Sequence, residues 1–296
     1  MNILSLFVLI PLLMLGALWA ARSLNQVRGV MVVGSTLLLA LSVYLTIDYL
    51  ALRQAGATAE MLYTASTVWY APLNICYSVG VDGISVAMLL LSSIIVFTGT
   101  FASWQLKPMT KEYFLWFTLL SAGVYGFFIS TDLFTMFMFY EVALIPMYLL
   151  IGVWGSGQKE YAAMKLTLML MGGSAFLLIG ILGIFYGAGG DTMNILEIAQ
   201  RHIPSEMQRL FFPLIFLGFG VLGALFPFHT WSPDGHASAP TAVSMLHAGV
   251  LMKLGGYGCF RVAMYLMPEG AEMWGDFFLV LTTISVVYGA FSAVVQ

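Results

Sequence analysis

The chain has 296 residues, of which 60% are hydrophobic and only 8% are charged, whereas a soluble domain has about 25% charged residues. This composition excludes a water-soluble fold and places the chain in the lipid bilayer. The net charge is -3 and the basic residues form no cluster, so the sequence also excludes a nucleic-acid partner.

The first apolar segment ends in Leu-Trp-Ala-Ala and resembles a secretory signal peptide. No positive charge precedes it, however, while Arg22 and Arg28 follow it. Because lysine and arginine collect on the cytoplasmic side of a membrane, this asymmetry predicts a retained first helix with its N-terminus outside.

Nine apolar segments are long enough to cross a bilayer, which takes about 20 apolar residues at a rise of about 1.5 Å each. We predict that each is helical, because lipid offers no other partner for the backbone polar groups. The segments are 3–20, 30–47, 84–104, 113–130, 133–154, 166–187, 210–228, 241–266 and 277–295.

Basic residues in the connections predict how the helices are oriented. The odd-numbered loops carry Arg22, Arg28, Lys107, Lys111, Lys159 and Lys165. The second loop carries only Arg53 and the fourth carries no base, so the odd-numbered loops are predicted to be cytoplasmic. The sixth connection, 191–209, breaks this pattern, and its spaced isoleucines predict an amphipathic helix in the membrane interface.

Glu141 is the one charged residue of the fifth segment and lies about 12 Å along it, near mid-membrane. A charge at the centre of a spanning helix costs about 2.5 to 3.5 kcal/mol, and such groups usually face a polar cavity or an ion path. Pro146 follows and can expose a backbone carbonyl nearby. We expect Glu141 to be buried beside a positive partner on another helix; the alternative is a neutral glutamic acid bonded to a neighbouring helix.

Lys253 is the midpoint of the eighth segment, so its ammonium cannot reach either membrane surface. A lysine in this position suits proton exchange, because its pKa shifts readily on burial. A structural ion pair is the alternative. Gly255 and Gly256 would let another helix approach closely. Arg261 lies nearer the helix end and is predicted to extend to the lipid headgroups.

The stretch 226–240 contains three prolines and the titratable residues His229, Asp234 and His236. Proline and glycine at this density predict an interrupted helix, and interrupted helices in transporters line ion sites. The histidines suit a proton relay. An ordinary interfacial loop is the alternative. Lys165 and His247 are further candidates for proton transfer.

No ligand pattern for haem, flavin, an iron–sulfur cluster or another metal is visible. Cys76 and Cys259 lie far apart without CxxC or Cys/His spacing, so we interpret both as packing residues. We therefore expect no cofactor and no metal site. The chain ends directly after an apolar span, which suggests a fragment or a cut at a loop.

Four blocks carry a resemblance to a known family: Phe-Pro-Phe-His-Thr-Trp-Ser-Pro-Asp-Gly-His-Ala-Ser-Ala-Pro at 226–240, Leu-Met-Lys-Leu-Gly-Gly-Tyr-Gly at 251–258, Val-Asp-Gly-Ile-Ser at 81–85 and Phe-Tyr-Glu-Val-Ala-Leu-Ile-Pro-Met-Tyr at 139–148. The chain resembles the subunit M (mitochondrial subunit 4) family of NADH:quinone oxidoreductase, respiratory complex I. The resemblance implies an all-α polytopic bundle of about fourteen spans, with two inverted five-helix repeats and a broken seventh helix.

On this resemblance, residues 1–112 are N-terminal transmembrane helices, 113–266 form the first five-helix repeat, and 267–296 begin a truncated second repeat. The family's glutamate on the fifth helix falls on Glu141 and its lysine on the eighth helix falls on Lys253. One position departs from the family, because Leu222 stands where the seventh helix usually carries a lysine. Leucine cannot carry a proton, so either His247 or Lys165 replaces that lysine, or this half-channel works differently.

The resemblance implies a proton-translocating antiporter-like subunit that couples quinone reduction to proton pumping. It would bind no redox cofactor and would assemble with neighbouring antiporter-like subunits of complex I in the inner (plasma) membrane. Glu141 and a nearby base would form an ion pair whose separation changes the proton affinity of Lys253. The alternatives are a subunit of a multisubunit cation/proton antiporter or of a membrane-bound hydrogenase, which share the fold, and a non-pumping scaffold.

Overall fold

The computed structural model describes residues 2–295 as a helical membrane bundle with a β-hairpin at one end. Eight helices of this part are long and apolar enough to cross a membrane. The elements are α1 Leu6–Ala20, α2 Leu24–Gln54, β1 Leu62–Tyr70, β2 Ile75–Val81, α3 Gly83–Ala102, α4 Thr110–Ile129, α5 Leu133–Trp154, α6 Lys159–Gly187, α7 Ile195–Ala199, α8 Ser205–Leu222, α9 Trp231–Ser238, α10 Thr241–Leu246, α11 Met252–Gly258 and α12 Pro268–Val295. The all-α polytopic class predicted from the sequence is confirmed.

The eighth predicted span, 241–266, is helical throughout but changes its hydrogen-bonding register twice. Two π-helical segments, His247–Leu251 and Cys259–Met264, alternate with α10 and α11. Such π turns are rare and occur frequently at functional sites. Lys253 lies in α11, between the two π segments.

The seventh span is broken, as the sequence predicts, but the break lies earlier than expected. Helix α8 ends at Leu222 instead of continuing to residue 228, and the separate short helix α9 follows. Ala224 adopts a positive φ of 56° at the turn, and Leu225 N–H bonds to Gly220 O at 2.8 Å. The chain therefore leaves the axis of α8 before it reaches Pro227, the first of the three prolines in 226–240.

The β-hairpin covers one end of the bundle, and the sequence analysis did not predict it. Strand β2 is fixed to the helices through Thr131 N–H, which bonds to Ser78 O at 2.9 Å, and through the Thr135 hydroxyl, which bonds to Cys76 O at 2.8 Å. At the hairpin turn, the Asn74 side chain donates to Asp191 O at 2.8 Å. The loops after β2, α4 and α6 thus meet at the hairpin end.

The connection 188–204 also lies at the hairpin end. In place of a long interfacial helix it forms only the five-residue helix α7, with Ile195 and Ile198 fully buried against the bundle. Residues 205–209 already belong to α8. The Arg201 guanidinium pairs with Asp191 and holds the pKa of that carboxyl below its ordinary value.

The opposite end of the bundle carries the basic loops. Arg28 donates to Trp104 O at 2.6 Å, and Lys111 Nζ donates to Trp19 O at 2.7 Å. Trp154 Nε1 joins the third and fifth loops by donating to Pro108 O at 2.9 Å. The odd-numbered loops therefore meet at this basic end, as their charges predict, and away from the hairpin.

Helix α4 is the centre of the bundle and α12 lies at its edge. In the most apolar window of each helix, 78% of the residues are buried in α4 but only 6% in α12. Helix α4 packs closely against α5, where a side chain at Gly126 would overlap the ring of Phe139. Glu141 lies on the other face of α5, since it is two residues from both Phe139 and Ala143, which pack on α4.

Candidate functional site

The broken helix carries two titratable side chains of α9, both partly buried. Trp231, fully buried at the start of α9, donates from Nε1 to Val221 O, near the end of α8, at 3.0 Å. This bond fixes α9 against the end of α8. Asp234 and His236 follow on α9.

A pair of stacked histidines lies beside α9. The rings of His236 and His247 have centroids 4.5 Å apart, and His247 also stacks on Trp231 at 5.1 Å. His236 Nδ1 lies 3.1 Å from the Ser244 hydroxyl. His247 is fully buried, and neither of its ring nitrogens has a hydrogen-bond partner among the described residues. Burying an imidazole with two unpaired nitrogens costs folding free energy, so such a group calls for an explanation, and a functional role is one.

Lys165 lies on the other side of α9. Its Nζ is 2.7 Å from Asp234 Oδ2, and the two side chains are 23% and 42% exposed. A cavity of about 230 Å³ borders Asp234 and is also lined by Ser156 and Gln158 of the basic end. Water from the basic end can therefore reach the carboxylate. Lys165, a candidate from the sequence, thus contacts the short helix that also carries the candidate His236.

Lys253 lies apart from this cluster, six residues after His247 and therefore about 9 Å further along the same helix. Its Nζ donates to Ala248 O at 2.9 Å, and the side chain is exposed toward a cavity of about 620 Å³. That cavity is mostly apolar and is lined by Phe216, Met252 and Ser285 among others. The alternative of a structural ion pair is not seen among residues 2–295, where no carboxylate lies within 4.0 Å of the Lys253 ammonium.

The close approach predicted at the two glycines after Lys253 is confirmed for one of them. A side chain at Gly255 would lie 2.5 Å from Phe219 O, whereas Gly256 has open space around it. The helix that carries Lys253 therefore packs directly on the backbone of α8.

Glu141 is half-buried, and its Oε1 is buried without a hydrogen-bond partner in the described chain. The prediction of a positive partner on another helix is wrong for residues 2–295, where no lysine, arginine or histidine lies within 4.0 Å of this carboxylate. Ser174 on α6 is a polar neighbour, but its hydroxyl donates to Met171 O at 3.0 Å. Leu222, where the resemblance implied a lysine, is fully buried and supplies no charge.

His229 does not join the histidine pair. Its ring stacks on Phe226 at 5.6 Å and lies edge-on to Tyr288 of α12 at 4.7 Å. Its Nδ1 is buried and has no partner in the described part of the chain. Of the two histidines of the broken helix, only His236 therefore contacts the polar cluster around α9.

Arg261 does not extend to the headgroups as predicted. Its guanidinium turns back and pairs with Asp82, at the start of α3, and with Glu60 at 3.2 Å. Only 10% of the side chain is exposed. The sequence does not reveal this cluster, because its members are about 180 to 200 residues apart. The one local signal is Asp82 directly before α3, since aspartate is a common N-cap residue.

Neither cysteine takes part in a site. Cys76 is buried in β2 and Cys259 is half-buried, and both are free. Within residues 2–295, no three histidine, cysteine or acidic side chains come together as metal ligands.

Residues 130–296 match the family described as NADH:quinone oxidoreductase/Mrp antiporter, TM. NAD(P)H-quinone oxidoreductase chain 4 3 of Picosynechococcus sp. is 38% identical over 235 residues, which are 79% of this chain and 43% of that relative. NAD(P)H-quinone oxidoreductase chain 4 2 of Thermosynechococcus vestitus is 35% identical over 243 residues, 81% of this chain and 45% of the relative. The matched region thus spans less than half of the length of these curated relatives.

Two solved structures share the fold. A chain of respiratory complex I from Thermus thermophilus with bound NADH superposes with a TM-score of 0.86 at 24% identity, covering 99% of this chain and 59% of that one. A chain of the membrane-bound sulfane sulfur reductase, an archaeal respiratory membrane complex, gives a TM-score of 0.84 at 22% identity, with 99% and 60% covered. At these identities the likeness concerns the architecture alone.

Proposed function

The chain belongs to the NADH:quinone oxidoreductase/Mrp antiporter transmembrane family, and we propose that it is a proton-translocating, antiporter-like subunit of a NADH:quinone oxidoreductase. Its role is to move protons across the membrane when quinone is reduced by other subunits. One observation carries this proposal: the broken helix and the helix after it hold a succession of titratable side chains that begins at the basic end and continues into the membrane interior.

The proposed path has four steps. A proton enters from the 230 Å³ cavity at Asp234, whose charge is balanced by Lys165 at 2.7 Å. It passes through water to His236, which lies two residues further along α9 and on another side of that helix. Water between the ring nitrogens then carries it to His247, whose ring stacks on that of His236. Histidine side chains commonly serve as proton relays.

Lys253 receives the proton from His247, with water filling the interval of about 9 Å along the helix. In this route His247 takes over the role of the seventh-helix lysine, because Leu222 stands at that position in this chain. Glu141 serves as a second titratable group near mid-membrane. We place the chain in the plasma membrane, among the other antiporter-like membrane subunits of the complex.

A cation/proton antiporter is the second candidate, because the matching family covers both NADH:quinone oxidoreductases and Mrp antiporters. The two differ in the ion that moves. A subunit of the oxidoreductase acidifies or alkalinises vesicles when NADH is supplied, without a sodium requirement. An antiporter subunit exchanges sodium for protons in the absence of NADH.

The decisive experiment replaces Lys253 in the full chain and follows proton translocation in membrane vesicles. Lys253→Ala is expected to abolish NADH-driven translocation while electron transfer from NADH to artificial acceptors continues, because the redox cofactors lie in other subunits. Lys253→Arg is expected to impair translocation as well, since guanidinium holds its proton across the useful pH range. Normal pumping by Lys253→Ala membranes would leave the scaffold as the better interpretation.

A further inference from the structure

Arg261 makes the most extensive ion-pair cluster of the described chain, and the proposed proton path does not use it. Its guanidinium pairs with Asp82 and with Glu60, and the Tyr265 hydroxyl donates to the same Glu60 at 2.7 Å. The Arg261 and Asp82 side chains are only 10% and 13% exposed. Charges buried to this degree are weak stabilisers, because desolvation offsets most of the attraction, but they can fix one arrangement among several.

Asp82 is itself held in place at the start of α3. Its second oxygen accepts from Ser85 N–H at 2.7 Å and so caps the helix. The Ser85 hydroxyl lies 3.0 Å from the Tyr257 hydroxyl, and both groups are buried. The helix 241–266 therefore contacts the start of α3 at two positions along its length, Tyr257 and Arg261.

Lys253 lies between the two π segments, whose extra residues set the rotation of α11 relative to the rest of the helix. Each π turn holds one residue more than an α turn. Moving that extra residue along the helix rotates the intervening side chains by about 100°. Lys253 bonds only to a carbonyl of its own helix, so its side-chain contacts do not decide which way it faces.

We infer that Arg261 is a positioning residue for Lys253: its ion pairs with Asp82 and Glu60 fix the rotation of α11 at which Lys253 faces the 620 Å³ cavity. The inference rests on the proposed function, in which Lys253 carries the proton. The second π segment, Cys259–Met264, contains Arg261, so holding the guanidinium fixes the register of that segment and of the α-helical turns before it.

The test is a double-mutant cycle in the full chain, read as the rate of NADH-driven proton translocation per assembled complex. Arg261→Gln is expected to lower the rate about tenfold in the otherwise unchanged chain, which is the size expected for a residue that acts through another group. In a Lys253→Arg background it is expected to add no further loss, because the group that Arg261 positions is already impaired. Arg261→Lys, which can still reach one carboxylate, should recover most of the rate.

Arg201→Gln is the matched control, because it also removes an Arg–Asp pair at the hairpin end but leaves the helix 241–266 untouched; it should leave the rate unchanged. If Arg261→Gln prevents assembly, Glu60→Gln takes its place in the cycle, since Glu60 is 49% exposed and its loss spares the buried pair. Equal losses in both backgrounds, or no difference from Arg201→Gln, would overturn the inference. A wild-type rate for Lys253→Arg would instead contradict the proposed function itself.

Discussion

His247 is the side chain whose surroundings separate a functional from a packing role most clearly. A packing histidine bonds at least one ring nitrogen, but His247 is fully buried with neither nitrogen bonded in the described chain. Replacing an unsatisfied buried polar group by an apolar one of similar size is nearly neutral or even stabilising. The stack with His236 at 4.5 Å places the two imidazoles side by side, and in the proposed path water bonded to their ring nitrogens carries the proton between them.

We therefore predict that His247→Leu lowers proton translocation strongly while the melting temperature of the protein stays the same or rises. Vesicle acidification and a thermal melt of the same purified sample measure the two effects. His202→Leu, at an exposed position of the hairpin end, is the matched control and should change neither. A drop in melting temperature with normal translocation would show that His247 only packs.

Glu141 on α5 is a second side chain for which a functional role and a packing role predict different effects of substitution. Its Oε1 is buried and unpaired, so Glu141→Gln should not destabilise the protein, yet it removes a titratable group from mid-membrane. We predict that translocation falls and stability is retained, as measured on the same vesicles. Glu206→Gln, on the exposed first turn of α8, is the control. Unchanged pumping by Glu141→Gln would remove this glutamate from the path.

At the scale of elements, the start of α5 depends on one buried aspartate. Asp132 is fully buried and accepts from Thr135 N–H at 2.9 Å through one oxygen and from Cys76 N–H at 3.1 Å through the other. It therefore caps the helix and ties it to β2 at once. An asparagine keeps one acceptor but turns a donor toward the second N–H group.

We predict that Asp132→Asn destabilises the protein by about 1 to 3 kcal/mol, the cost of one unsatisfied buried group. The melting temperature in detergent measures the change. Asp276→Asn, on the exposed face of α12, is the control and should leave it unaltered. Equal melting temperatures for the two variants would mean that the cap and the strand contact contribute little.

The elements that the sequence predicts well are those set by lipid. Helical spans follow from unbroken apolar length, and the mid-membrane depth of Glu141 and Lys253 follows from helical rise alone. The hairpin lies outside this reasoning, although Leu62–Tyr70 is rich in β-branched and aromatic residues and could have been recognised as a strand. The exact turn that breaks α8 was missed, because Ala224 carries no sequence signal for a positive φ.

Side-chain partners were predicted less well, because they depend on which helices become neighbours. Asp234 and Lys165 are 69 residues apart, and Arg261 and Asp82 are 179 apart. Nothing local distinguishes such pairs from charges that face headgroups. The repeat boundaries at 113 and 266 and the roles of the site residues stay predictions.

At the scale of the whole molecule, the bundle has two chemically different ends. The basic loops meet at one end through contacts such as Trp154 to Pro108, and the hairpin, α7 and Arg261 meet at the other. Basic loops stay in the cytoplasm during insertion. The cavity beside Asp234 opens at the basic end, so the proposed path would take its protons from the cytoplasm.

We predict that the basic end faces the cytoplasm and the hairpin end faces outward. Cysteines introduced as Gln158→Cys, in the loop before α6, and Thr58→Cys, in the loop before β1, are both exposed. A membrane-impermeant maleimide should label Thr58→Cys only in right-side-out vesicles and Gln158→Cys only in inverted ones. The unmodified chain gives the background from Cys76 and Cys259, which are buried and half-buried. Labelling of both positions from one side would contradict the two-ended arrangement, and a reversed pattern would place the Asp234 cavity outside and turn the direction of the proposed path around.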